Sequence, residues 1–343
     1  MTFMKTTLRA VAATAILAGS SMSVFAQEVT LKLHQFLPPQ ANVPKFLDTW
    51  ADKIEADSNG RIKIERYPSM QLGGKPPELA DQVVDGIADI VWTVSGYTPG
   101  RFPQSEAFEL PFMMTNAEDS SRAYWQYAQA NMMDKDFKDL HMLGVWVHGP
   151  GVIHSNKPIT SPADLNGVKL RAPTRVTNKM FSQLGATPVG MPVPAVPEAL
   201  SKGVIDATVI PWEVTGALKV GELVKNHTEF GNDSLYTTTF IYAMNKDKYE
   251  ALPDDLKAVI DANSGEEFSA AAGKFMQDMD APSRKTSADM GNNIITLDDA
   301  QVAVWKDAAQ GIKNEWVGEM NGLGFDGQAL LNQAADLIQK NSM

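Results

Sequence analysis

The chain of 343 residues contains no cysteine. That removes disulfides, thiolate metal sites and cysteine nucleophiles at once, so the fold must rest on core burial. Five histidines, His34, His141, His148, His154 and His227, show no paired helical spacing for zinc. No G-x-S-x-G elbow occurs, and Val94-Ser95-Gly96 lacks the flanking glycine that would make one. Gln71 to Gly74 lacks the lysine and serine of a phosphate loop. Gly322 to Gly327 (GLGFDG) spells a dinucleotide fingerprint, but helical sequence precedes it and no strand follows it. It is expected to be a helix–helix turn. Acidic residues are abundant, yet the sequence pairs none of them as acid and base. No feature supports an enzyme, a metal site or a cofactor.

No apolar run is long enough to span a bilayer. The run Ala10 to Gly19 follows Lys5 and Arg9 and precedes Val24-Phe25-Ala26. This is the layout of a cleaved export signal over residues 1–26 rather than a membrane anchor. Those residues hold two positive charges and no acid, so their loss takes the formal net charge from −11 to −13. An acidic exported chain is a poor partner for nucleic acid or anionic lipid. An anionic ligand would need a local positive site.

What is present is α/β alternation. Glu28 to Phe36 alternates as a strand, and Phe46, Trp50 and Ile54 mark one face of a helix. Asn59-Gly60 turns into the strand ending at Tyr67, Pro76 to Gly86 reads as a short helix, and Ile87 to Trp92 as a buried strand. The pattern then recurs: Asn166-Gly167 opens a second turn and strand, and Gly86-x-x-Asp89 is echoed by Gly203-x-x-Asp206. Unequal spacing makes this shared architecture rather than a tight repeat. Two similar α/β lobes follow, with largely parallel sheets. Their facing strand ends define a cleft. After residue 250 the chain reads as helical, with a long helix kinked near Pro282 that would tie the lobes together.

Three tryptophans stand at or near strand ends: Trp92, Trp146 and Trp212. Singly each could be core; together they suggest a pocket for a flat or apolar group. His34 and His148 also end strands. Arg171 closes the strand Val168 to Leu170. Its partner is either a structural carboxylate, Glu213 or Glu198, or an anion from outside, for which the planar guanidinium offers two parallel hydrogen bonds.

With Arg171 in this context, the chain resembles the substrate-binding proteins of tripartite ATP-independent periplasmic (TRAP) transporters, the DctP type, over residues 28–343. The stretches carrying the resemblance are LKLHQF, NGRIKIERYPSMQLGG, FELPFM, LNGVKLRAPT and LGATPVGMPVPAVPEALSKGVIDATVIP, with the long helix. It implies the two-lobed periplasmic-binding-protein fold, each lobe a mixed, mostly parallel sheet flanked by helices, with the kinked helix spanning both. Expected boundaries are 27–148 plus about 237–280 for lobe I, and 149–236 plus about 281–343 for lobe II. The resemblance further implies a periplasmic receptor that needs no cofactor and delivers its solute to ion-gradient-driven permease subunits. A monomer is expected, with a dimer through the C-terminal helices as the alternative.

The family's arginine clamp falls on Arg171. In sialic-acid-type members the pocket carries polar residues where this chain has Phe36, Val94, Gly151 and Ile210, and a phenylalanine where it has Val193. Burying sugar hydroxyls against such walls costs about 1–3 kcal/mol each. The expected ligand is therefore a small monocarboxylate with an apolar, aromatic body. Arg171 would hold the carboxylate, with His148 or His34 as a second donor. Trp92, Trp146, Trp212, Phe36, Val94, Val193 and Ile210 would form walls. Two other readings are a receptor for aliphatic oxo- or hydroxy-acids with a cation on Glu213, and a periplasmic hydrolase acting on an aromatic acid.

Overall fold

The computed structural model describes residues 27–342; the expected export signal lies outside them. Among the described residues eleven strands form two sheets. In chain order they are β1 (Val29–His34), β2 (Ile62–Tyr67), β3 (Ile90–Val94), β4 (Leu140–Val147), β5 (Val152–Ser155), β6 (Lys169–Ala172), β7 (Thr187–Gly190), β8 (Ala207–Ile210), β9 (Asn226–Glu229), β10 (Thr239–Asn245) and β11 (Asn293–Thr296). One sheet has the order β2-β1-β3-β10-β4, the other β11-β9-β5-β8-β6-β7. Helices flank both sheets, giving the two-lobed α/β architecture.

In each sheet one strand runs against the rest: β10 in the first and β5 in the second. Both strands follow a crossing from the other lobe. The chain crosses at the cleft, where the remaining strands end, so an incoming strand can only run away from it. Antiparallel direction is thus the topological mark of the two crossings that lead from strand to strand, 148–151 and 230–238.

The recurring Gly-x-x-Asp is a clasp built twice. Asp89 accepts the Lys32 N–H at 2.9 Å and returns its own N–H to the Lys32 carbonyl. Asp206 does the same with Lys169. Gly86 and Gly203, at φ 71° and 67°, turn the chain into each clasp.

The long helix is two segments, Glu266–Asp278 and Asp280–Asp289. Pro282 has no N–H for the carbonyl of Asp278 and its ring crowds that carbonyl, so the break falls one turn before the proline. The final helix, Gly327–Asn341, packs on the lobe I helix Ala117–Asn131, although the expected boundaries put it with lobe II. Gly322 to Gly327 joins two helices, as expected, with Asp326 capping the second. Among the described residues no helix is long and apolar enough to cross a membrane.

Candidate ligand-binding site

Between the lobes lies a cavity lined by residues of both. Its lining side chains are buried, Pro173 alone being partly exposed, so the lobes are drawn together around it. Lobe I contributes a stack of flat rings. Phe36 lies on Trp92 at 4.6 Å with 19° between planes, and Trp92 lies on Phe240 at 5.2 Å and 21°. Val94 and Tyr97 complete this wall. Lobe II contributes Val193, Ile210, Arg171 and Glu213.

Arg171 is 1% exposed. Its Nε donates to the Met191 carbonyl at 2.9 Å and its Nη1 to the Val209 carbonyl at 3.1 Å, while Nη2 has no partner. Two carbonyls therefore fix the guanidinium plane without neutralising it. Neither proposed structural partner pairs with it: Glu198 bonds Lys202, and Glu213 makes no ion pair. A buried cation with an open edge needs an anion.

Tyr97, Tyr236 and His148 share the cavity with Arg171: burial pushes both tyrosine hydroxyls up against the pull of the guanidinium, and burial and the guanidinium together hold His148 down. Tyr236 Oη is buried without a partner, and Tyr97 Oη accepts the Val193 N–H across the lobes at 2.8 Å. His148 Nδ1 lies 2.5 Å from the Gly149 carbonyl. A ring nitrogen facing a carbonyl must carry the proton, and burial lowers the His148 pKa to about 4. Its Nε2 is then a bare lone pair. His148 cannot be the second carboxylate donor expected of it; the tyrosine hydroxyls are better suited.

Four other expected positions lie elsewhere. Trp146 stands behind the ring stack, its indole N–H directed at Met276 Sδ. Trp212 turns into lobe II, where it donates to Glu229 and packs on His154 and His227. His34 donates to Gln82 and accepts the Leu72 N–H, which makes it the anchor of the Gln71 to Gly74 loop. Gly151 is filled by the Tyr236 ring, which a Cβ there would meet at 2.0 Å.

The sequence reading missed Tyr97, Tyr236 and Phe240. Tyr97 directly follows the Val94-Ser95-Gly96 stretch, whose failure as a nucleophile elbow obscured its place at a strand end. Tyr236 sits in the second crossing, where no periodicity marks it. Among the described residues, no group of three or more His, Asp or Glu is arranged to hold a metal.

Two lobes closed on a buried, unpaired arginine describe a solute receptor, and comparison with known proteins agrees. A model described as bacterial extracellular solute-binding protein, family 7 (DctP), matches residues 33–318. The chain belongs to that family. Its members are TRAP solute receptors rather than enzymes.

A TRAP solute-binding protein from an unidentified marine microbe, specific for aromatic acid ligands and solved with 3-hydroxybenzoate, is 51% identical to this DctP-family chain. The match covers 93% of this chain and all of that one, at a TM-score of 0.91. A second, from Rhodoferax ferrireducens with copurified benzoate, is 50% identical over 91% of this chain and 98% of its own, at 0.90. The outer membrane transporter protein TsaT of Comamonas testosteroni is 29% identical, covering 93% of this chain and 94% of its own.

Proposed function

We propose that this receptor binds a small aromatic monocarboxylate in the periplasm and delivers it to the membrane subunits of a TRAP transporter. The observation that carries the proposal is the buried guanidinium of Arg171, open at Nη2, facing a wall of stacked rings. The carboxylate would seat on Arg171, with the Tyr97 and Tyr236 hydroxyls beside it. The ring would lie on the Phe36–Trp92–Phe240 stack. The ligands of the two solved relatives support the same class. Because the walls come from different lobes, the ligand would stabilise the closed state by bridging them.

The test is a thermal-shift screen of residues 27–343 against aromatic monocarboxylates, short oxo- and hydroxy-acids, dicarboxylates and sugar acids. A ligand at a hundred times its dissociation constant adds about 2.7 kcal/mol. Stabilisation by aromatic monocarboxylates above the rest is expected. A response confined to dicarboxylates or sugar acids would overturn the account of the walls, and no response to any acid would overturn the clamp.

A further inference from the structure

Glu213 is 2% exposed and lines the same cavity, yet neither carboxyl oxygen has a hydrogen-bond partner. Its backbone, by contrast, is fully used. The N–H donates to Asp280 Oδ1 at 2.7 Å, and the carbonyl accepts from Asn42 Nδ2 at 3.2 Å and from Ser283 Oγ at 3.3 Å. The side chain is thus held at the cavity wall by a tightly bonded main chain while its own polar atoms go unmet. For packing alone a leucine would serve without the cost of an orphaned carboxyl.

The position of Glu213 separates it from the clamp. Arg171 is held in β6 by the carbonyls of Met191 and Val209, whereas Glu213 sits in the helix Trp212–Leu218, whose main chain is held by Asp280, Asn42 and Ser283. The cavity therefore has a cationic end at Arg171 and a carboxyl end at Glu213, with the aromatic stack and Val193 and Ile210 among its walls. A carboxyl at this second end accepts a hydrogen bond when ionised, and both donates and accepts when neutral. A ligand hydroxyl satisfies it in either state.

We infer that Glu213 is a specificity-determining residue that recognises a ring hydroxyl at the meta or para position of the bound acid. The inference rests on the reading of Arg171 as the carboxylate clamp. It narrows the ligand class to hydroxy-substituted aromatic acids over their unsubstituted and alkyl counterparts. A methyl group has nearly the size of a hydroxyl but leaves both Glu213 oxygens dry. The pair thus isolates the hydrogen bond from cavity filling.

The experiment is isothermal titration of wild type, Glu213→Leu and Glu213→Gln with benzoate, salicylate, and the 3- and 4-hydroxy and 3- and 4-methyl benzoates. Wild type should bind a 3- or 4-hydroxybenzoate about ten- to a hundredfold more tightly than the methyl compound of the same position. Glu213→Leu should abolish or reverse that ratio, and Glu213→Gln should retain part of it. The wild-type ratio alone decides the matter if the leucine variant does not fold: a ratio near one overturns the inference. So does a preference that persists in Glu213→Leu. A gain confined to salicylate would move the hydroxyl acceptor to His148 Nε2, and loss of binding on chelation would place a cation at Glu213. All these outcomes leave the clamp standing. Failure of every benzoate to bind would overturn the clamp and this inference together.

Discussion

The two lobes share a plan and divide the labour. Each builds a mostly parallel sheet, each is clasped by the same Gly-x-x-Asp, and each receives one antiparallel strand from its neighbour. At the cavity they part. Lobe I offers Phe36, Trp92, Val94, Tyr97 and Phe240, a face of rings whose one hydroxyl is already bonded to Val193. Lobe II offers Arg171 and Glu213, both buried and neither satisfied. A flat surface attracts many molecules weakly; a desolvated charge attracts few strongly. On the proposed reading, affinity and chemical selection would belong to lobe II and shape selection to lobe I, with closure needed before a ligand meets both.

The largest effect expected is from lobe II. Arg171→Ala would leave the ligand anion buried without its partner, a loss of about 3–5 kcal/mol, at least a hundredfold in affinity by titration. Binding within a few fold of wild type would end the division proposed above.

A second effect concerns the ligand-free protein. Burial pushes Glu213 and Glu109 up to about 7 and Asp280 up to about 8. Such carboxyls hold protons in the folded state that the unfolded chain has already lost. Their contribution is therefore complete below about pH 4 and declines as pH rises through 7 and 8. The buried histidines act oppositely. His148 and His227 fall to about 4 and His154 lies well below its ordinary value, all chiefly through desolvation. Their contribution is complete above about pH 6.5 and declines towards pH 4. The melting temperature should therefore peak near about pH 5–6. Glu213→Gln should flatten the alkaline limb by on the order of 1–3 kcal/mol and leave the acid limb in place. Equal slopes in wild type and variant would show that the carboxyl already has a partner.

The histidine pair also shows what one sequence conceals. His154 and His227 meet Nδ1 to Nδ1 at 2.7 Å, with Nε2 of His154 at the Ile210 carbonyl and Nε2 of His227 at the Asn292 amide. One neutral chain satisfies every position, from the Asn292 N–H through both rings to the carbonyl. The partners are 73 residues apart, and nothing local announces them. The same holds at the site. Strand ends were legible because period and turn residues mark them, and that placed Trp92, Val94, Arg171 and Ile210 at the cleft. Whether a strand-end ring faces the cavity or stands behind another ring depends on cross-strand neighbours. Phe240 is opposite Trp146 in β4 and opposite Val94 in β3. It therefore lines the cavity, where Trp146 was expected among the wall residues. Tyr236 and the vacated Gly151 come from two different crossings, and only the folded chain brings them together.

The smallest effect expected is from lobe I, and it sharpens the comparison most. Phe36→Leu keeps an apolar side chain of similar reach but removes one ring from the stack on Trp92. Aromatic pairing beyond area burial is worth about 0.5–1.5 kcal/mol, so an aromatic acid should lose roughly two- to tenfold in affinity. An aliphatic monocarboxylate of similar length gains nothing from the ring plane and should lose little. Loss of stability in the variant would weaken both ligands alike, so the ratio of the two affinities is the quantity to measure. A fall in that ratio assigns ring recognition to lobe I. An unchanged ratio would mean that Arg171 and Glu213 select the ligand by its polar groups, with the aromatic wall serving only to keep water from them.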